Sequence, residues 1–315
     1  MDGKKSQRIH EKLLRELGPV IAEALYEIGV VEIALNPDGF IWVKKNGVYE
    51  KRGSMNAEAA ESLMGTIASC LHTTVTRDNP ILEGELPIDG SRFEGLLPPV
   101  VAYPTFTIRR KAAKIYTLED YVTQKVLTRR QCDILIQAVK DRQNVIVAGG
   151  TSTGKTTFLN AFIHQIHLEH PAHRLITIED TSELQNSAPN SVALHTSDTV
   201  DMQRLLKVTM RLNPDRILVG ETRGGEALAL LKSWNTGHSG GAASLHANDA
   251  VGALLRLEQL IREATEAPMH HEISHAVNFV VVIAYTPEVG RHISEIVRVT
   301  GYDTEAQKYK YELLT

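Results

Sequence analysis

At the start of the chain, Ile9, Leu13, Leu14, Leu17, Val20, Ile21 and Leu25 recur at helical spacing. This stripe predicts an amphipathic helix over residues 7–27. Packing on a following sheet accounts for the stripe, and the polar face is free for solvent or a membrane surface. Val30–Leu35 and Phe40–Lys44 flank Asn36-Pro37-Asp38-Gly39, and Asn46-Gly47 precedes Val48–Arg52. That order reads strand, turn, strand, turn, strand. Leu63, Met64, Ile67, Cys70 and Leu71 mark a second helix. From Leu86 to Arg110 the pattern is extended but broken by Pro87, Pro98, Pro99 and Pro104, which predicts short strands and hairpins. Within it, alternation sets Phe106 and Ile108 on one face and Thr107 and Arg109 on the other.

Lys111 to Thr117 reads as a polar linker. Thr117-Leu118-Glu119-Asp120 and Thr128-Arg129-Arg130-Gln131 match capping boxes, each opening a helix. The pattern then changes. Candidate strands at 144–148, 175–178, 192–195, 217–220, 242–246 and 279–285 alternate with candidate helices at 201–211, 226–234 and 250–263. Such alternation predicts a mainly parallel sheet covered by helices on both faces. Closing strands are expected at 292–300 and 308–314. The predicted organisation is an N-terminal α+β domain over 1–114, a linker and first helix over 115–127, and an α/β domain over 128–315.

The strongest local signal lies between the strand at 144–148 and a helix marked by Phe158, Leu159, Phe162, Ile163 and Ile166. Gly149-Gly150-Thr151-Ser152-Thr153-Gly154-Lys155-Thr156 fits G-x-x-x-x-G-K-[ST], with Thr157 following. Glycines let main-chain N–H groups turn toward anionic oxygens, and the helix N-terminus adds a favourable dipole. Lys155 would bridge the β- and γ-phosphates of a nucleoside triphosphate, and the Thr156 hydroxyl would ligate Mg²⁺. Acidic residues follow two later strands: Glu179-Asp180 after Ile178, and Glu221 after Ile217–Gly220. Both sets fall at carboxyl ends of strands, where open α/β sheets bind ligands. Glu221 is the candidate to polarise attacking water. Asp180 or Glu179 could hold Mg²⁺ through its waters. The aspartate usual at the end of such a strand is replaced by Gly220.

Composition narrows the alternatives. The chain has 315 residues, 43% of them hydrophobic, and a net charge of −4, which gives no general attraction to nucleic acid. Two cysteines, Cys70 and Cys132, frame neither a disulfide scaffold nor a zinc site. The first eighteen residues lack the apolar core of a secretory signal, and the longest apolar run, Phe279–Tyr285, is far short of a membrane span. Three motifs compete with the phosphate loop. Gly237-His238-Ser239-Gly240-Gly241 fits the serine-hydrolase elbow but follows a predicted helix, not a strand. His271-Glu272-Ile273-Ser274-His275 fits H-E-x-x-H but precedes a buried strand with no clear third ligand. His164, His167, His170 and His173 recur every three residues up to and past Pro171, and read as a solvated helix end.

Four signatures then stand together: 149–156; Ile178-Glu179-Asp180-Thr181-Ser182-Glu183-Leu184; residues 211–223, which end in Val219-Gly220-Glu221-Thr222-Arg223; and Thr236-Gly237-His238-Ser239-Gly240 with Ser244-Leu245-His246-Ala247-Asn248. The set resembles the Walker A, Asp box, Walker B and His box of the secretion (traffic) ATPases of type II and type IV secretion and type IV pili. The glycine before Glu221 is that family's own pattern. Its type IV secretion branch, the TrbB-type conjugal transfer ATPases, is the nearest match, with the retraction-motor pilus branch as its competitor. The resemblance implies a RecA-like P-loop core behind the α+β domain, ATP and Mg²⁺ as ligands, and a homo-hexamer with ATP between the two domains of each subunit. It gives Lys155 and Thr156 phosphate and metal binding, Glu221 water activation, and Asp180 or Glu183 support of the metal. It gives His238 and His246 γ-phosphate sensing or subunit linkage, and Arg92, Arg109 and Arg110 phosphate contacts. Partners would be inner-membrane secretion or conjugation components, at the cytoplasmic face of the inner membrane, with peripheral membrane association. Direct nucleic acid binding is not expected. A pilus or type II motor, or a nucleotide-gated scaffold with little turnover, is the alternative.

Overall fold

The computed structural model describes residues 3–45, 47–111, 115–197 and 199–314, with side chains from residue 7 onward. Asn46 of the predicted second turn and residues 112–114 of the predicted linker lie outside the described residues. The chain divides into two compact units, Met1–Ala113 and Lys114–Thr315.

In the first unit, helix α1 (Gly3–Tyr26) is followed by strands β1 (Val30–Leu35), β2 (Phe40–Lys45) and β3 (Val48–Ser54). Helix α2 (Ala57–Cys70) and strands β4 (Ile81–Glu85), β5 (Arg92–Leu96) and β6 (Thr105–Arg109) complete it. The six strands form one antiparallel sheet in the order β3-β2-β1-β6-β5-β4. Leu13, Leu17, Ile21 and Leu25 of α1 are buried with Leu63, Met64 and Ile67 of α2 and Ile33, Phe93 and Ile108 of the sheet. Each such side chain contributes about 1.5–3 kcal/mol by leaving water.

Two expectations need correction here. The helix predicted over 7–27 is broken at Gly18 (φ 71°, ψ 168°), immediately before Pro19. Proline disfavours helical backbone in the residue before it, and glycine tolerates the positive φ that results. The extended pattern also begins before Leu86, at Ile81. In β4 only Leu82 is buried, between an exposed Ile81 and Glu83, so the strand carries little hydrophobic signal.

The second unit runs α3 (Leu118–Thr123), α4 (Arg129–Lys140), β7 (Val145–Ala148), α5 (Lys155–Glu169), β8 (Leu175–Glu179), β9 (Ser191–His195), α6 (Met202–Thr209), β10 (Arg216–Val219), α7 (Glu226–Asn235), β11 (Ala242–Leu245), α8 (Ala250–Arg262), α9 (His270–Ala276), β12 (Phe279–Thr286), β13 (Gly290–Asp303) and β14 (Lys308–Leu313). Reciprocal capping boxes at Thr117 and Thr128 open α3 and α4. The sheet order is β14-β13-β12-β7-β11-β10-β8-β9. The six strands from β12 to β9 are parallel, and β13 and β14 extend the sheet antiparallel.

Central strand β7 shows how sequence maps onto this architecture. All four residues are buried. Val145 and Val147 pack with Leu135, Phe158 and Phe162 from α4 and α5. Ile146 and Ala148 pack on the other side with Leu230, Leu254 and Ile273 from α7, α8 and α9. A strand covered on both faces has no polar face to show.

Candidate nucleotide site

Parallel register brings the site together. Ala148 lies opposite Leu245, Val219 opposite Ala243, and Ile178 opposite Val219. The residues leaving the carboxyl ends of β7, β11, β10 and β8 therefore share one edge of the sheet. These are the glycine-rich loop, His246, Gly220-Glu221 and Asp180.

The loop from Gly149 to Gly154 joins β7 to α5. A Cβ on Gly149 would lie 2.5 Å from the Ile283 carbonyl oxygen, so only glycine lets the loop leave beside β12. Gly154 caps α5 at φ 100°, and Ser152 also adopts a positive φ, of 62°. Thr151 and Ser152 are exposed, while Thr156 and Thr157 are half-buried in the first helical turn. Gly154 offers no side-chain acceptor to that turn, so its N–H groups suit an anion. Thr153 Oγ1 donates to Gly150 O at 2.9 Å, and Arg291 Nε of β13 donates to Thr153 O at 2.6 Å. These two bonds brace the loop from inside and outside.

Lys155 is buried. Its Nζ donates to Gly149 O and Gly150 O, both at 3.0 Å, and lies 3.2 Å from His246 Nδ1. The other ring nitrogen of His246, Nε2, is 2.7 Å from Glu221 Oε1. That oxygen is buried and lies off the line of the ring N–H, without a well-aligned hydrogen bond. Burial first, then the Lys155 ammonium, pushes the His246 ring below its ordinary pKa, with Glu221 opposing only in part.

Arg223 secures the second carboxylate oxygen. Its Nε and Nη2 donate to Glu221 Oε2 at 2.9 and 2.6 Å, and its Nη1 is 3.5 Å from Asp180 Oδ2. Burial works against the Arg223 charge, but the carboxylates of Glu221, Asp180 and Glu183 outweigh it and raise its pKa. Asp180 also accepts from the Thr196 hydroxyl at 3.0 Å. Arg223 is the residue whose role the motif reading missed. Its placement depends on the register of β8 and β10, although a basic group two residues past Glu221 was a visible signal.

The replacement of the usual aspartate by Gly220 has a steric cause. A Cβ at 220 would lie 3.0 Å from Glu179 Cβ. Glu179 fills that space, 4% exposed, and its Oε2 accepts from the backbone N–H groups of Glu183 and Leu184, both at 2.8 Å. The expectation that Glu179 holds a metal through water does not fit this geometry, because its carboxylate shapes the 180–184 turn. Buried Asn160 on α5 secures the same turn, donating to Glu183 O and accepting from Gln185 N. Among the described residues no group of three His, Cys, Asp or Glu side chains could hold a metal ion.

Within the second unit, His238 lies apart from this edge. His238 precedes β11 at the opposite edge, with Nδ1 2.9 Å from Pro214 O, so the structure does not bring it to the loop. In the first unit, Arg92 and Arg109 are cross-strand partners on β5 and β6. Arg110 donates to the carbonyls of Glu27 and Val30, a structural task within that unit. The competing motifs find ordinary explanations. Gly240 and Gly241 follow α7 and donate to Asn144 Oδ1. His271 lies 3.2 Å from the Thr304 hydroxyl. His170 stacks on His173. A groove of about 790 Å³ between α8 and the β13–β14 hairpin, walled by Leu255, Tyr302 and Tyr311, contains none of the phosphate-loop residues.

Over residues 53–308 the chain matches the protein family described as type II/IV secretion system protein. It is 49% identical over 309 residues to the probable conjugal transfer protein TrbB of Sinorhizobium fredii (strain NBRC 101917 / NGR234), covering 98% of this chain and 95% of that protein. Among solved structures it is similar to the Legionella pneumophila ATPase DotB, with a TM-score of 0.64 at 16% identity over 96% of this chain and 81% of that one. The pilus retraction motor PilT with bound ADP gives a TM-score of 0.63 at 18% identity, over 94% and 82%. At these identities the structural likeness shows the fold: a RecA-like core preceded by a smaller α+β unit.

Proposed function

The chain belongs to the type II/IV secretion system protein family, and on that premise we propose that it is the ATP-hydrolysing motor subunit of a bacterial type IV secretion machine for conjugal transfer. The observation that carries this reading is the meeting of Lys155, at the start of α5, and Glu221, just past β10, at the single imidazole of His246. A phosphate-gripping ammonium and a water-polarising carboxylate on one edge are what triphosphate hydrolysis needs. Similarity over nearly the whole length, at 49% identity, to a probable conjugal transfer protein supports the choice of machine.

In this reading the loop amides and Lys155 take the β- and γ-phosphates, and Thr156 would hold a Mg²⁺ that offsets their charge. Glu221, fixed by Arg223, orients water on the far side of the γ-phosphate and accepts its proton. Asp180, already held by Thr196 and Arg223, and Glu183 would support a bound Mg²⁺. No helix among the described residues is long and apolar enough to cross a membrane. We assign the working form as a homo-hexamer that docks peripherally on inner-membrane secretion components. Steady-state phosphate release, with particle mass in solution measured with and without ATP–Mg²⁺, tests the proposal. Turnover by a six-subunit particle is expected. Nucleotide binding without turnover would instead identify a scaffold.

A further inference from the structure

We propose that the groove between α8 and the β13–β14 hairpin is a docking site for an extended, acidic segment of a partner protein, which adds to β14 as a further strand. β14 lies at the end of its sheet and, among the described strands, pairs with β13 alone. Leu314 N donates across to Ile296 O at 2.9 Å. The direction of bonding alternates along a strand, and β14 is regular from Lys308 to Leu313, because the bulge between Val299 and Gly301 belongs to β13. Tyr309, Tyr311 and Leu313 therefore turn their main-chain N–H and C=O groups away from β13. Such a row is the template that an incoming strand needs.

Side chains beside this row fix what the segment must carry. Leu254, Leu257 and Ile261 of α8 are buried in the core, while Val251, Leu255, Glu258 and Arg262 form a second stripe, at helical spacing, that lines the groove. Leu255 and Tyr311 are each 47% exposed, which leaves an apolar seat beside the open strand edge. The one carboxylate in the lining is already engaged: Glu258 Oε1 accepts from the Tyr309 hydroxyl at 2.5 Å and lies 2.6 Å from His270 Nδ1. Arg262 and Lys308 also line the groove, are exposed, and have no ion pair among the described residues. Two open cations beside an apolar seat select an occupant with carboxylates next to an apolar side chain. A second copy of β14 would bring Lys308 and Lys310 against Glu312 alone, adding positive charge to positive.

The test uses the full-length protein and two fluorescein-labelled octapeptides, Thr-Leu-Thr-Val-Thr-Glu-Thr-Glu and the same sequence reversed. Each sets apolar and acidic side chains on one face of a strand, and the pair covers both strand directions. Fluorescence anisotropy at low salt should show saturable binding of one of them. Methylating main-chain nitrogens separates edge pairing from plain charge attraction, because only every second N–H of an added strand faces the edge. Methylation of one alternate set of residues should abolish binding, and methylation of the other set should spare it. The double variant Arg262→Glu, Lys308→Glu should weaken binding about tenfold or more at unchanged melting temperature. Failure of both peptides to bind, equal binding by the two methylated sets, or wild-type affinity in the double variant overturns the proposal. A double variant whose particle mass in solution falls assigns the groove to a contact between copies and also overturns it.

Discussion

The two edges of the parallel sheet are made by the same strands, β7, β8, β10 and β11, and both hold arginine, histidine and carboxylate groups. They bind them differently. At the amino edge the partners are mostly main chain. Arg216, fully buried, donates to Gly240 O, Val139 O and His173 Nδ1. Asn144 accepts from Gly240 N and Gly241 N and donates to Ala276 O. Arg174 donates to Leu212 O, and Asp215 accepts from Arg174 N. At the carboxyl edge Lys155 also meets the main-chain carbonyls of Gly149 and Gly150, but the contacts continue from side chain to side chain: Lys155 with His246, His246 with Glu221, and Glu221 with Arg223, which also faces Asp180. Main-chain partners cannot be given up without opening the fold, because each carbonyl left bare in the interior costs about 1–3 kcal/mol. Side-chain partners can be exchanged for phosphate oxygens. One edge holds the sheet together, and the other is free to rearrange around an anion.

This contrast can be broken at either edge. The largest effect is expected at the carboxyl edge. Glu221→Gln should lower kcat about 100- to 1000-fold, as for loss of a general base, with nucleotide affinity and melting temperature near wild type. Stopped-flow phosphate release together with a fluorescent-nucleotide titration checks both halves. Next, Arg223→Gln should lower kcat about 10- to 30-fold with little change in KM, since it removes a charge-assisted pair that positions Glu221. Full activity in that variant would show that Glu221 does not depend on its clamp. At the other edge, Arg216→Met should leave turnover per folded molecule intact. It should instead lose about 2–4 kcal/mol of stability, or roughly 6–12 °C in melting temperature for a domain of this size. If Arg216→Met impaired hydrolysis at unchanged stability, the division of labour between the edges would be wrong.

The smallest effect is a pH dependence. Burial, then the charge of Arg216, holds the His173 ring below its ordinary value of 6.5. The folded state therefore binds that proton less readily than the unfolded chain. Stability should fall as pH drops below about 6.5 toward the lower folded value, and should be insensitive to this ring above that range. Urea midpoints between about pH 5 and 8 should show a shallower acid-side slope for His173→Asn, which keeps an acceptor facing Arg216.

Legibility in the sequence followed how local each cause is. The phosphate loop could be read because glycine spacing, a lysine and a flanking strand and helix all sit within one short stretch. The alternation of β7 to β12 with helices was equally plain, since buried parallel strands are continuous apolar runs. The break at Gly18 was masked by an uninterrupted stripe of apolar residues across Pro19, which are buried on both sides of it. β4 was overlooked because only Leu82 is buried in it. Arg223 and Arg291 could not be placed from spacing alone, because Asp180 and the Thr153 carbonyl that they meet come from elements distant in sequence; Glu179 bonds its own turn, but the space it fills beside Gly220 belongs to another strand. The bare Gly220 looked like a missing ligand until Glu179 was found to occupy the space.

Arg291 carries a consequence for synthesis of the chain. The guanidinium that braces the Thr153 carbonyl belongs to β13, which leaves the ribosome long after the glycines it steadies. A nascent chain halted before that strand would hold every phosphate-gripping residue yet lack the outer prop of its loop. Nucleotide competence should then arrive late in translation, which would keep half-made subunits from engaging ATP before they can join an assembly.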